Sequence, residues 1–93
     1  MTTRITEFER SQNKTTLRVE GSLHTEDAEV LERTFQNLRA QNIQNIEIDL
    51  SDTSFVDNGS AAVLCRLQSL GAELIGLHFF AQKLIEMVQQ SAE

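Results

Sequence analysis

The chain has 93 residues, of which 40% are apolar, which is enough for one hydrophobic core but not for two domains. Its formal net charge is −6, and a field of that sign repels the phosphate backbone of a nucleic acid. We therefore expect a single domain over residues 1–93 that does not bind nucleic acid.

The sequence carries no sign of export or of membrane insertion. Its one cysteine, Cys65, cannot form an intrachain disulfide, so the fold does not depend on an oxidising compartment. The first residues lack the apolar segment of a signal peptide, and no apolar run approaches the ~18 residues of a membrane-spanning helix. These features predict a cytoplasmic protein.

The first half of the chain predicts a hairpin followed by a helix. Residues 5–8 are typical of a short edge strand, and alternating apolar residues indicate a half-buried strand over residues 15–20. Thr25 is suited to cap a helix that runs to about Ala40, because acidic residues follow it and favour the positive end of the helix dipole. The apolar stripe of this helix comprises Ala28, Leu31, Phe35 and Leu38.

The second half predicts a strand with one solvent-facing side. Ile46, Ile48 and Leu50 alternate with acidic residues, whereas a strand covered by helices on both faces would be apolar throughout. The hydroxyl residues that follow are expected in a connecting loop: Ser51, Thr53 and Ser54.

Three further elements are predicted after this loop. A helix should run from Ser60 to about Leu70, with Gly71 at its C-terminal end. Residues 73–77 indicate a short strand. A last amphipathic helix is indicated by Ala81, Leu84, Ile85 and Val88. The order β-β-α-β-α-β-α predicts an α/β fold, a four-stranded mixed sheet with three helices packed mainly on one face.

Four small or polar residues join the central strand to the second helix: Asp57, Asn58, Gly59 and Ser60. Asp57 can cap the helix by accepting a hydrogen bond from the backbone of Gly59 or Ser60. Gly59 permits a tight turn, and the N-terminus of a helix stabilises negative charge. The segment is therefore either a simple cap or a cap that also serves a partner or a modification.

Two segments resemble the STAS domain family, the anti-sigma factor antagonists and their relatives. They are LRVEGSLHTEDAEVLERTF and IEIDLSDTSFVDNGSAAVL, and the resemblance covers nearly the whole chain. It implies a STAS-like fold and a protein–protein interaction regulator that binds an anti-sigma, kinase-type partner. The partner-binding and switch region would be Asp57, Asn58, Gly59 and Ser60. In the antagonists, the residue after this Asp is usually a Ser or Thr that the kinase phosphorylates, which breaks the docking.

This sequence departs from the family pattern at Asn58, which has no hydroxyl to phosphorylate. Three interpretations stay open. The domain is a constitutive binder, or Ser60 has become the phospho-acceptor, or the domain is a docking subunit without a phosphate switch. Docking subunits in the family resemble either the small partner of an ABC-transporter ATPase in lipid trafficking or the scaffold subunits of stress-signalling assemblies.

No catalytic or cofactor motif is present in the sequence. The two histidines, His24 and His78, do not have the spacing of a metal site, and the G-x-S-x-G, P-loop and G-x-G-x-x-G motifs are absent. Cys65 borders an apolar stripe and is expected to be a structural thiol. We therefore expect no enzymatic activity, no metal and no cofactor.

Overall fold

The secondary structure follows the predicted order as far as the structure describes it. This computed structural model describes residues 3–11 and 14–76. The elements are β1 (Arg4–Ser11), β2 (Lys14–Leu23), α1 (Thr25–Ala40), β3 (Asn45–Val56), α2 (Asn58–Ser69) and β4 (Glu73–Ile75). The described part therefore holds two helices rather than the three predicted, and the last predicted helix, from Ala81 to Val88, lies outside the described residues.

The predicted four-stranded mixed sheet is confirmed. The strand order is β1-β2-β3-β4, with β1 antiparallel to β2 and the other two pairs parallel. Each parallel pair is joined by one helix, and both crossovers step across the sheet in the same direction. Because such crossovers are right-handed, α1 and α2 lie on the same face.

The hydrophobic core lies between that face and the two helices. The apolar stripe predicted for α1 is buried, and Phe35 at its centre is 1% exposed. Burying one such large side chain contributes roughly 1.5–3 kcal/mol to stability. Other fully buried members of the core are Leu17, Val19, Leu23, Ile48, Leu64 and Leu67.

The third strand is longer than the sequence predicts, and the placement of its hydroxyl residues in a loop was wrong. Strand β3 continues through Ser51, Thr53 and Ser54 to Val56. Thr53 is buried, and its hydroxyl donates to the backbone carbonyl of Val19 at 2.8 Å. A hydroxyl group can be buried within a sheet when it donates a hydrogen bond to the neighbouring strand. The polar composition of this segment was therefore a misleading sign of a loop.

Polar contacts fix the two helices relative to each other. The Arg66 guanidinium donates to both carboxylate oxygens of Glu32, Nε to Oε2 at 2.6 Å and Nη2 to Oε1 at 2.8 Å. This hydrogen-bonded pair lowers the pKa of Glu32. Arg39 Nη2 donates to the Leu70 carbonyl at 2.6 Å, where α2 ends. Gly71 follows with φ +104°, as expected for a helix-ending glycine.

Candidate functional site

Asp57 caps α2, as the sequence predicts. Its backbone is extended, and its Oδ1 accepts a hydrogen bond from the backbone N–H of Ser60 at 2.7 Å. A side chain of this type satisfies one of the donors that the first turn of a helix leaves unpaired. At the start of α2, Asp57 thus acts as an ordinary N-cap residue.

The same carboxylate also binds the start of α1, which the sequence did not predict. Asp57 Oδ2 accepts hydrogen bonds from the backbone N–H and from Oγ1 of Thr25, both at 3.1 Å. Nδ1 of His24 lies 3.9 Å from Asp57 Oδ2. Asp57 therefore connects the first turns of the two helices, although it lies 32 residues after Thr25 along the chain.

The predicted capping role of Thr25 was wrong. His24 is the N-cap of α1, and its backbone N–H donates to Asp27 Oδ2 at 3.3 Å. Thr25 is the first residue of the helix. Its hydroxyl is turned toward Asp57 because the carboxylate of the neighbouring helix start offers a stronger acceptor than water does.

Strand pairing explains why the two helix starts meet. Leu23 at the end of β2 pairs with Val56 at the end of β3, and the Asp57 N–H donates to the Leu23 carbonyl at 3.3 Å. The carboxyl ends of parallel strands lie at one edge of a sheet, where α/β folds usually place their binding residues. His24 and Asp57 follow these two strands directly.

The four residues predicted as the partner-binding and switch region lie together, but they do not all face solvent. Asn58 is exposed as the first residue of α2. Gly59 lies so close to Thr25 that an added Cβ would overlap Thr25 Oγ1. Ser60 is 0% exposed, and its Oγ donates to the Leu23 carbonyl at 2.9 Å. Phosphorylation of Ser60 would require the first turn of α2 to open.

An exposed aromatic pair lies beside this region. The rings of His24 and Phe55 are 5.4 Å apart between centroids, and Phe55 is 44% exposed. Aromatic side chains are enriched at the centres of protein–protein interfaces relative to the rest of the surface. The sequence did not predict contact between these two residues or a place for them in the partner-binding region. The available signal was that His24 and Phe55 stand next to two helix starts that follow adjacent parallel strands.

The electrostatic state of Asp57 results from opposing effects. Partial burial pushes the pKa of its carboxyl upward, but the hydrogen bonds from Ser60 and Thr25 together outweigh burial, so the pKa of Asp57 is lowered. The carboxylate is therefore ionised at neutral pH. An ionised acceptor makes each of these hydrogen bonds stronger than a neutral one would.

We expect this lowered pKa to make stability depend on acid pH. The ordinary pKa of an Asp is about 3.9, and we expect this value in the unfolded chain. Because the pKa of Asp57 is lower in the folded protein, its carboxylate contributes its full stabilisation at pH values above about 3.9. The contribution is lost as the pH falls through the lowered pKa of Asp57. Urea unfolding between about pH 5 and pH 2 should show a steeper loss of stability for the wild type than for Asp57→Asn, which cannot titrate. Equal slopes would contradict the assignment.

Residues 3–11 and 14–76 contain neither a candidate metal site nor a candidate membrane-spanning helix. Within them, no three His, Cys, Asp or Glu side chains are grouped to hold a metal ion. No helix among them is long and apolar enough to cross a membrane. Burial raises the pKa of the Cys65 thiol, which is consistent with a structural role.

Comparisons with known proteins point to one family. The family model described as "Mlab, STAS domain" matches residues 6–92. Unphosphorylated SpoIIAA, an anti-sigma factor antagonist, is 16% identical with a TM-score of 0.73, over 89% of this chain and 82% of that one. Phosphorylated SpoIIAA, a Bacillus cell fate determinant, is 14% identical with a TM-score of 0.67, over 96% and 86%.

A third solved structure is similar. It is an antisigma-factor antagonist STAS domain from Rhodobacter sphaeroides, 22% identical with a TM-score of 0.58, over 80% of this chain and 86% of that one. No curated protein matches the sequence. At these identities the structural likeness establishes the fold.

Proposed function

The chain belongs to the STAS domain family, and from that premise we propose that it regulates another protein by binding it, as an anti-sigma factor antagonist does. Its partner is an anti-sigma, kinase-type protein. The domain itself catalyses no reaction, needs no cofactor and works in the cytoplasm. The observation that carries this proposal is the junction at Asp57, where the starts of α1 and α2 are held together.

The contact surface in this proposal is the segment Asp57–Ser60 with the exposed side of α2. Asn58 presents its side chain to solvent at the centre of this surface, and the aromatic pair His24 and Phe55 extends it. Asp57 contributes by fixing the shape of the surface. Rigid placement reduces the ordering entropy that a flexible turn would lose on binding.

Asn58 makes the domain a constitutive binder in this proposal. The amide is neutral and cannot accept a phosphate, so no charge is added at the position where the antagonists are switched. Ser60 does not replace it in the folded state, because its hydroxyl is buried against the Leu23 carbonyl.

A second candidate function is supported by the same two observations. An exposed Asn58 and a buried Ser60 suit a fixed docking element in a larger assembly. Such an assembly would be an ABC-transporter ATPase that acts in lipid trafficking, or a stress-signalling scaffold. The two functions differ in the partner rather than in the surface.

Substitution of Asn58 tests the surface. Affinity capture from native lysate should recover the partner with the wild type and with Asn58→Ser, and we expect Asn58→Lys to weaken that partner's binding by about tenfold, roughly 1.4 kcal/mol. Asn37→Lys is the matched control, since it adds the same charge at an exposed position late in α1.

The outcomes separate the alternatives. If both lysine variants bind the partner as the wild type does, the surface is assigned wrongly. A kinase-type anti-sigma factor as partner supports the first function. An ABC-type ATPase or a large scaffold supports the second and removes the first.

A further inference from the structure

Strand β1 forms one edge of the sheet. Among the described residues it pairs only with β2, along its length from Arg4 to Ser11. The edge of a sheet presents N–H and C=O groups that can pair with another strand, and proline or lysine residues are common means of preventing this. The sequence of β1, RITEFERS, contains neither. The opposite edge is formed by β4, which spans only three residues.

The charge of the chain is distributed unevenly relative to this edge. Residues 4–23, which form the β1–β2 hairpin, include four basic and three acidic residues, a formal charge of +1. Residues 24–76 include three basic and nine acidic residues, a formal charge of −6. Two copies of the chain repel each other least when their hairpins meet and their acidic elements lie on the far sides. The hairpin edge is therefore the side on which a second copy can approach.

We propose that β1 pairs antiparallel with β1 of a second copy, and that the two-fold axis of this dimer passes between the two Thr6 residues. Two four-stranded sheets then form one continuous sheet of eight strands. A two-fold axis makes the contact the same on both copies and closes the assembly as a dimer. This inference concerns a surface other than the one in the proposed function and does not depend on it.

The acidic side chains of β1 select this register. Ile5 packs against the core, and side chains alternate along a strand, so Glu7 and Glu9 also point toward the helix-covered face. An axis at Glu7 would place two glutamates opposite each other, and an axis at Phe8 would place Glu7 opposite Glu9. Like charges directly opposite each other are destabilising. An axis at Ile5 would shorten the paired segment, which leaves the axis at Thr6.

The register centred on Thr6 gives favourable pairs across the interface. Arg4 lies opposite Phe8 of the second copy, and this pair occurs twice. Phe8 is 36% exposed in the single chain, and a guanidinium over its ring would cover it and form a cation–π contact. Ile5 lies opposite Glu7, so no like charges meet directly. A contact between two strand edges is smaller than a standard protein interface, so we expect a reversible dimer that forms at high protein concentration.

Sedimentation velocity tests whether the dimer forms. The wild type should shift from the 10.5-kDa monomer to a dimer as its concentration rises. The dimer fraction should increase with added NaCl, because salt screens the repulsion between two chains that each carry a net charge of −6. Thr6→Lys places two lysines at the axis and should weaken the dimer by about fivefold or more. Asn37→Lys adds the same charge late in α1 and should dimerise at least as well as the wild type.

Disulfide trapping tests the register. Residues opposite each other in an antiparallel pair have Cα atoms about 4.5–5.5 Å apart, within the range that a disulfide bridges. With Cys65 replaced by serine, Thr6→Cys should form a covalent dimer under mild oxidation about tenfold faster than Asn37→Cys at the same concentration. A mixture of Arg4→Cys and Phe8→Cys chains should link to each other more readily than either links to itself. Circular dichroism establishes that each variant is folded.

Four results would overturn the proposal. They are a wild type that stays monomeric at millimolar concentration in added salt, a dimer that Thr6→Lys and Asn37→Lys affect equally, a Thr6→Cys variant that links no faster than Asn37→Cys, and oligomers that continue to grow beyond the dimer. The last result would indicate a contact between different surfaces of the two copies. Each of these results leaves the proposed function intact, because the contact surface at Asp57–Ser60 is not part of this edge.

Discussion

Replacing Asp57 with alanine is expected to lower the free energy of unfolding by about 2–3 kcal/mol. The substitution removes the cap of α2 and leaves the Ser60 N–H without its acceptor. It also removes the acceptor for the backbone N–H and hydroxyl of Thr25 at the start of α1. The loss of a simple helix cap typically costs ~1 kcal/mol, so the lost contacts at the start of α1 account for the excess. Urea denaturation at neutral pH measures the difference.

Two further variants separate the parts of this effect. Asp57→Asn keeps one oxygen acceptor and should lose about half as much as alanine does. Thr25→Val removes only the hydroxyl contact, and its effect should largely disappear when Asp57 is already alanine, since both changes break the same hydrogen bond. Additive effects would show that the Thr25 hydroxyl does not interact with Asp57.

Gly59→Ala is expected to destabilise the fold by about 2 kcal/mol, although alanine is the better helix former. At an ordinary helical position this change would stabilise the protein by roughly 0.5–1 kcal/mol. Here an added Cβ would overlap Thr25 Oγ1 and lie 3.0 Å from its Cγ2 and 3.1 Å from its Cβ. Rotation of the threonine side chain cannot relieve all three contacts at once. Thermal or urea unfolding measures the sign directly.

A double variant provides the control for Gly59. Thr25→Ala removes two of the three crowding atoms, so Gly59→Ala should cost much less in that background than in the wild type. A stabilising effect of Gly59→Ala in the wild-type chain would show that the two helix starts are not in close contact.

The sequence predicted the fold best where periodicity controls the structure. The apolar stripe of α1 and the alternation of Ile46, Ile48 and Leu50 are local patterns, and the structure buries them as expected. Boundaries were predicted less well. Strand β3 extends over a hydroxyl-rich segment because Thr53 bonds the backbone of a strand that is distant in sequence. A single sequence does not reveal such a partner.

The candidate site was predicted only in part, because some of its contacts join segments that are distant in sequence. Asp57 was identifiable because it stands at a strand-to-helix boundary with Gly59 close behind it. Its contact with Thr25 depends on the parallel register that pairs Leu23 with Val56, which no local pattern specifies. The burial of Ser60 follows from that register too, because its acceptor is the Leu23 carbonyl.

The position of Asp57 between two segments that are distant in sequence limits how the proposed contact surface could be imitated. A linear peptide that copies α2 would contain Asp57, Asn58 and Gly59 but not His24 or Thr25, which the fold brings in from the start of α1. Short helices are also marginal in water without tertiary packing. A competitor for the proposed surface would therefore need to be a small β-α-β-α unit that retains both helix starts, because a peptide that copies α2 alone would lack the residues from α1.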